Sequence, residues 1–408
     1  MPPAMRILYP VLWGRPGRHA SHAQTAATAA ALSRAGHEVT LLLPQGKGDP
    51  TLSAAALREW FGVAGDFRVI QRRSRWQGEA VLRSAMWLRQ VFGDSAIGEA
   101  DVLYSRIPAM IGIGGFSPLP FATDHYRPWP DVYPAIRPQV RRTARQAHCL
   151  GYVIHSHYAA GAYLRSGVPA ERLLVAHNGF DPVGESLGKA EARVRLGLPA
   201  TRPIALYAGR INAEKGLDTV LDLADRRPDV LFVLVGSEGR GPIEQAAAQR
   251  DNVRVAPWAE PDALPPWLFA ADVLLIPPSS APLQRFGTCI LPLKLFSYLA
   301  AGRPILAPDA PDTRELLADA ETALLVAPDR PELAAAALDR LLGDSRLAAS
   351  LSAKALELAA GLGWDDRATR IAAFLRQRLA QLPPGLAPPE YAGGGPAFAA
   401  SRASSSNM

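Results

Sequence analysis

Two cations, Arg210 and Lys215, stand five residues apart between a strand-like run that ends near Tyr207 and a helix-like run. The guanidinium offers a planar fork of N–H donors and the ammonium a compact charge, a pair that suits a diphosphate. Ligands of α/β proteins bind where parallel strands end. The segment therefore predicts an anion site, with two solvated surface cations as the alternative interpretation.

A second loop, Gly14-Arg-Pro-Gly17, also joins a strand-like run to a helix-like one. Backbone amides and the positive end of a helix can hold an anion at such a place. The spacing is not G-x-G-x-x-G, so a plain turn between strand and helix is the competing interpretation. We include Gly14 and Gly17 among the candidate anion-binding residues.

The elements that must position these loops form two successive series. The run Arg6–Trp13, an Ala-rich helix over 21–34 and the run Glu38–Leu43 make a βαβ unit, which implies a parallel sheet. The pattern starts again at Ile204, where a strand, Gly209 and a helix follow one another. The sequence therefore predicts an α/β protein with two units of about 180 residues each rather than one long sheet.

Composition limits the environment of the chain. No apolar run approaches the roughly 20 residues that span a bilayer, and the first residues lack the pattern of a secretory signal. The two cysteines, Cys149 and Cys289, lie far apart in apolar surroundings, which favours the reducing cytosol over a disulfide framework. We expect a cytoplasmic protein.

Positive charge is concentrated in the first half. Residues 1–180 carry 20 Lys and Arg against 11 Asp and Glu, and the remainder carries 24 against 27. Arg137, Arg141 and Arg145 recur every four residues with Arg142 adjacent, which predicts one cationic stripe on a helix. The stripe is either a solvated face or a peripheral contact with anionic lipid or a lipid-linked acceptor. No aromatic residues interleave with it, so a nucleic-acid partner is not predicted.

A series of short motifs follows the chain in order. They are Ala176–Asp181 (P-N-G-x-D), Gly209-Arg210 through Lys215-Gly216 (G-R-x-x-x-x-K-G), Val235-Gly236-Ser-Glu-Gly239 (V-G-x-G), Leu268–Pro277 (Y-x-x-A-D-x-x-x-x-P), and Asp312–Leu316 with Thr322–Val326. In order and spacing they resemble the motifs of the family-4 glycosyltransferases, which have the GT-B fold, transfer sugars from nucleotide-sugar donors and retain the anomeric configuration. The resemblance covers about residues 5–380.

This resemblance implies two Rossmann-like domains that face one another across a cleft. It assigns the donor diphosphate to Arg210 and Lys215 and adds Gly236. Gly14 and Gly17, as candidate anion-binding residues, join the donor-binding set. The predicted organisation is an acceptor domain over 1–180, a linker over 181–200, a donor domain over 201–364, a helix over 365–381 that returns to the first domain, and a disordered tail over 382–408.

The donor loop resembles a subset of the family that reads F-G-x-x-x-P-x-K-L-F-E/D-Y. By this resemblance Phe286, Gly287, Thr288, Lys294 and Ser297 are donor-binding residues. Most members carry two carboxylates here, the second of which binds the ribose hydroxyls. This chain has Cys289 and Ser297 at those positions, a departure that bears on donor affinity and on activity.

Catalytic residues are sought in the segment Phe121-Ala-Thr-Asp-His-Tyr-Arg127, which resembles the family segment with a histidine near the cleft. We therefore assign His125 to catalysis and give Asp124 the role of orienting its imidazole or binding a sugar hydroxyl. We place His125 in a loop after a strand, where a histidine is as readily structural.

Metal ligands are not evident, because the chain has neither an Asp-x-Asp triplet nor a Cys/His cluster with ligand spacing. The expectation is a metal-independent, retaining glycosyltransferase without a cofactor, acting on a glycan or lipid-linked acceptor, as in bacterial surface polysaccharide or glycolipid synthesis. The alternatives are a catalytically silent sugar-nucleotide-binding partner and another GT-B enzyme such as a nucleotide-sugar epimerase.

Overall fold

A computed structural model describes residues 3–74, 81–180, 187–239, 241–286, 291–388 and 391. The helices of this part of the chain are α1 Ala20–Arg34, α2 Ala54–Phe61, α3 Val81–Phe92, α4 Met110–Ile113, α5 Trp129–Val132, α6 Arg137–Ala144, α7 His157–Arg165, α8 Lys189–Arg195, α9 Asp218–Arg226, α10 Pro242–Ala247, α11 Pro265–Ala270, α12 Ala281–Phe286, α13 Lys294–Ala300, α14 Pro331–Gly343, α15 Ser345–Ala359 and α16 Trp364–Leu379.

The first sheet is parallel, with strand order β3-β2-β1-β4-β5-β6-β7. Most of its strands are apolar runs because helices cover both faces of such a sheet. The strands are β1 Arg6–Pro10, β2 Glu38–Gln45, β3 Arg68–Arg73, β4 Val102–Ser105, β5 Phe121–His125, β6 Cys149–Ile154 and β7 Leu173–Val175.

The second sheet is also parallel, with strand order β10-β9-β8-β11-β12-β13. Apolar clusters pack on both of its faces, one around Phe296 and Leu299 and the other around Phe232 and Leu338. The strands are β8 Ile204–Ala208, β9 Leu231–Ser237, β10 Val253–Pro257, β11 Val273–Leu275, β12 Ile305–Pro308 and β13 Leu324–Val326.

The chain divides into two compact units. The first holds the residues up to His155, residues 159–176 and the described residues from Arg367 onward, and the second holds residues 156–158 and 177–366. Each unit contains one of the parallel sheets, and the predicted α/β fold is confirmed. No helix among the described residues is long and apolar enough to cross a membrane.

The structure differs from the sequence interpretation in three places. Strand β3 was not predicted, because Arg-Val-Ile-Gln-Arg-Arg is a half-exposed edge strand without a long apolar run. Strand β5 includes Asp124 and His125, which the sequence interpretation placed in a loop. Helix α8 lies within the segment predicted as a linker. Most of the predicted disordered tail lies outside the described residues.

Candidate functional site

The order of the second sheet reverses at β8, whose neighbours are β9 and β11. In open α/β sheets ligands bind beyond the carboxyl ends of the strands at such a switch point. Gly209 and Arg210 follow β8 directly, so the fold places the predicted diphosphate segment at this edge. The first sheet reverses between β1 and β4 in the same way, and Gly14 follows β1.

Three predicted donor-binding cations converge near the end of β8. The Lys294 ammonium lies 3.5 Å from the centre of the Tyr207 ring, and the Tyr207 hydroxyl donates to the Arg210 carbonyl at 2.8 Å. Burial and the nearby charge of Lys215 lower the pKa of Lys294 well below its ordinary value. Burial also lowers the pKa of Lys215, an effect that Glu214 opposes and Arg210 reinforces. The crowding of like charges favours binding of an anion.

Glycines permit the close approach of the loops after β8 and β9. Gly209 has φ +142° and Gly236 has φ +127°, values in a region that favours glycine. A Cβ atom on Gly236 would lie 2.2 Å from the Gly209 carbonyl oxygen, so a side chain there would push the two loops apart. The approach also brings Glu238 to Arg210, whose Nε lies 3.1 Å from the Glu238 carboxylate.

Ser297 lies on α13 three residues after Lys294, and residues with this spacing share one helix face. The helix is fixed at the switch point because the backbone N–H of Ala208 donates to the Tyr298 hydroxyl at 2.7 Å. Ser297 is partly exposed. Phe286 is the last residue of α12, whereas Gly287, Thr288 and Cys289 lie outside the described residues.

The first predicted loop has local reasons for its glycines. A Cβ on Gly14 would lie 2.4 Å from the Pro44 carbonyl oxygen, so the loop packs on the end of β2. The backbone N–H of Gly17 donates to His22 Nδ1 at 3.1 Å. Burial is the main cause that lowers the pKa of His22 to about 4, and the charges of His19 and Arg106 lower it further. The imidazole of His22 is therefore neutral and can accept this hydrogen bond.

Asp124 belongs to a buried network in the first unit. Its carboxylate accepts from the Tyr104 hydroxyl at 2.6 Å, from His155 Nε2 at 2.5 Å and from the Arg367 guanidinium at 2.7 Å. Burial favours the neutral acid, but His155 and Arg367 outweigh it and hold the pKa of Asp124 below its ordinary value. Asp124 is only 1% exposed, so its contacts in this conformation are with the protein.

His125 is likewise buried. Its Nε2 lies 2.7 Å from the Thr123 hydroxyl oxygen, and its ring stacks on Tyr163 at 6.0 Å between centroids. Burial lowers the pKa of His125 to about 3, and Asp124 only partly offsets this. The imidazole is therefore neutral and buried in this conformation, and the catalytic assignment of His125 and Asp124 stays a prediction.

Sequence reasoning missed the partners in this network. His155 and Arg367 are 31 and 243 residues from Asp124 in sequence, and no spacing rule connects them. One available signal was the end of a buried strand: His155 directly follows β6, as Asp124 and His125 end the adjacent β5.

The predicted cationic stripe lies on and just after α6. Arg137 contacts Asp131 at 3.1 Å and the Pro130 carbonyl at 3.0 Å. All four arginines are exposed: Arg137, Arg141, Arg142 and Arg145. The structure therefore presents a basic face on this helix of the first unit.

Comparison with known proteins gives two family matches. Residues 188–357 match the model described as Glycosyl transferases group 1, and residues 23–183 match Glycosyltransferase Family 4. A D-inositol 3-phosphate glycosyltransferase of Jonesia denitrificans is 31% identical over 263 residues, which are 59% of this chain and 57% of that protein. The chain thus spans about half the length of the curated relatives it matches.

Two solved structures share the fold. HepE of Anabaena, in complex with UDP and glucose, has a TM-score of 0.65 at 17% identity and covers 91% of this chain and 100% of its own. Sucrose-phosphate synthase from Thermosynechococcus elongatus has a TM-score of 0.68 at 20% identity, with 92% and 99% covered.

Two parallel sheets, each with a switch point that presents loops for a ligand, place the chain in the GT-B class of α/β proteins. The two family matches together span most of the chain. The chain belongs to family 4 of the glycosyltransferases, as its motifs predicted.

Proposed function

We propose that the chain transfers a sugar, with retention of anomeric configuration, from a nucleotide-diphosphate sugar to a glycan or lipid-linked acceptor. The observation that carries the proposal is the group of cations at the second switch point: Arg210, Lys215 and Lys294. Mutual repulsion and burial of ammonium groups are unfavourable in the free protein. A diphosphate offsets both, because it brings two or more negative charges to the ammonium groups of Lys215 and Lys294.

The chemical task of this site is to stabilise a leaving nucleoside diphosphate. Charge develops on the diphosphate as its bond to the sugar breaks, and preorganised cations stabilise that charge. Lys294 is held over the Tyr207 ring and Arg210 next to the end of β8, so neither depends on a bound metal for its position. We therefore propose a metal-independent reaction, in which EDTA leaves sugar transfer unchanged.

The first unit is proposed to bind the acceptor. The exposed basic face of α6 supports an acceptor or a surface with negative charge, such as a lipid pyrophosphate or an anionic leaflet. A role in bacterial surface polysaccharide or glycolipid synthesis, on the cytoplasmic side of a membrane, is consistent with such a face. The relative of Jonesia denitrificans is named for D-inositol 3-phosphate, a phosphorylated molecule, which supports an anionic acceptor for this chain.

A silent sugar-nucleotide-binding protein is the second candidate, and one observation favours it. Ser297 stands where most family members carry the ribose-binding carboxylate, and a hydroxyl is a weaker partner than an anion. An epimerase would instead need carboxylates for acid–base chemistry at the sugar. The carboxylates described beside the three cations, Glu238 near Arg210 and Glu214 near Lys215, lie at the proposed diphosphate site.

The test combines binding with turnover. Nucleoside diphosphates and their sugars are screened by thermal unfolding, where a ligand at 100 times its Kd adds about 2.7 kcal/mol to stability. The stabilising donor is then incubated with candidate acceptors with and without EDTA. Transfer in both samples supports the proposal. Stabilisation without transfer or hydrolysis supports the silent partner, and an altered sugar on the nucleotide supports the epimerase.

A further inference from the structure

Three potential metal ligands meet in the second unit: His157, His177 and Glu315. Each offers one ligating atom, an imidazole nitrogen or a carboxylate oxygen, and these atoms lie within 4.8 Å of one another. The sequence does not reveal the group, because Glu315 is 138 residues from His177. The fold thus assembles a ligand set that the spacing of residues could not predict.

The Glu315 carboxylate is oriented before any ion arrives. It accepts hydrogen bonds from the backbone N–H groups of His157 at 2.6 Å and Tyr158 at 3.2 Å. His177 Nε2 lies 2.8 Å from the same oxygen that His157 contacts. Hydrogen bonds of this kind around a ligating carboxylate fix its position and its basicity.

Two of the three candidate ligands, Glu315 and His177, are mostly buried, and the third, His157, is exposed. The side chains of Glu315 and His177 are 6% and 11% exposed, so water competes little for them. His157 is exposed, which leaves an entry path and room for a water ligand. An open position beside three protein ligands is a familiar arrangement for zinc.

The types of ligand atom indicate which class of metal ion would bind. Two imidazole nitrogens and one carboxylate oxygen suit Zn²⁺ and its neighbours in the first transition row, whereas Mg²⁺ and Ca²⁺ prefer oxygen ligands. Tetrahedral bonds of about 2.0–2.1 Å place ligand atoms roughly 3.3 Å apart. The 2.8 Å separation between His177 and Glu315 would widen by about half an ångström, which small side-chain rotations supply.

We propose that His157, His177 and Glu315 bind one Zn²⁺ ion, with water as the fourth ligand. The ion replaces the hydrogen bond between His177 and Glu315 and links three separate segments of the second unit. It departs from the sequence expectation that the chain binds no metal. It does not rest on the proposed transfer reaction, in which the ion has no assigned part.

The test uses the full chain without a histidine tag, stripped with EDTA and freed of the chelator. Titration of ZnCl₂ by calorimetry should show one ion per chain, and an excess of Mg²⁺ should not displace it. Glu315→Gln keeps the length of the side chain and one oxygen that can accept a backbone hydrogen bond, but it loses the charge and the second acceptor oxygen. His157→Ala changes an exposed side chain. Each should weaken Zn²⁺ binding at least about 10-fold.

The matched control is His148→Ala, a partly buried histidine of the first unit that contacts the Gly114 carbonyl. It should bind Zn²⁺ as the unaltered chain does. Zn²⁺ should also raise the Tm of the unaltered chain but not that of Glu315→Gln. Absence of stoichiometric binding, or equal affinity in the unaltered chain and both site variants, would overturn the proposal. Donor binding is measured separately, so its failure would be distinguished from failure of the zinc site.

Discussion

Arg210 contacts a carboxylate in this structure, and that contact gives a sharp test of the donor site. Its Nε lies 3.1 Å from Glu238, and the two side chains are 37% and 38% exposed. If a diphosphate binds Arg210, it must compete with Glu238 for the guanidinium. Glu238→Gln keeps the shape of the side chain and removes the charge, so donor binding should become tighter.

The magnitude follows from the exposure of the pair. Ion pairs that water reaches contribute about 0.2–1 kcal/mol, so removing this competitor should tighten donor binding about 1.4- to 5-fold. Arg210→Ala should act in the opposite direction. Loss of a charge-assisted hydrogen bond costs about 1.5–3 kcal/mol, which weakens binding roughly 13- to 160-fold.

Calorimetric titration with the best nucleotide from the thermal screen measures both effects. Arg226→Ala, an exposed arginine at the end of α9, serves as the matched control and should bind normally. In the Arg210→Ala background, Glu238→Gln should bring little gain, because the two changes act on one contact. Unchanged affinity in Arg210→Ala, or weaker binding in Glu238→Gln with an unchanged Tm, would refute the assignment of Arg210 to the diphosphate.

Further predictions concern other parts of the two units. The missing carboxylate should weaken nucleotide binding by about 5- to 150-fold, and Ser297→Glu should recover part of that affinity. A lower Tm without tighter binding would contradict the assignment of Ser297 to the ribose site. His125→Ala should lower kcat more than nucleotide affinity, and equal losses would argue against a place near the transferred sugar. Arg367→Ala removes one charge-assisted hydrogen bond from the buried Asp124 carboxylate, which keeps Tyr104 and His155, and should cost about 1.5–3 kcal/mol, measured by chemical denaturation. The pKa of Lys294 is lowered in the free protein, and a bound diphosphate should raise it. Nucleotide binding should therefore take up protons and become weaker as the pH rises. Calorimetry in buffers of different ionisation enthalpy measures the proton uptake, and a finding of no uptake at any pH would contradict this prediction.

Local patterns in the sequence were sufficient to predict the two parallel sheets and the family. The runs that became β1, β2, β8 and β9 are apolar because both faces of a parallel sheet are covered, and a glycine or a helix follows each strand. Arg210 and Lys215 were identifiable for the same reason, since they stand within one loop after a recognisable strand. Such features depend on neighbours along the chain, and a sequence displays those neighbours directly.

Contacts between distant segments were decided by the tertiary structure alone. Arg367 meets Asp124 from 243 residues away, Glu238 meets Arg210 only because two glycines let their loops touch, and Glu315 meets His177 across 138 residues. Burial of charge is likewise invisible in a list of residue types. The sequence determined which groups are present and which strand each one follows. Only the packing of strands and helices determined their partners and whether water still reaches them, because side-chain contacts form in space rather than along the chain.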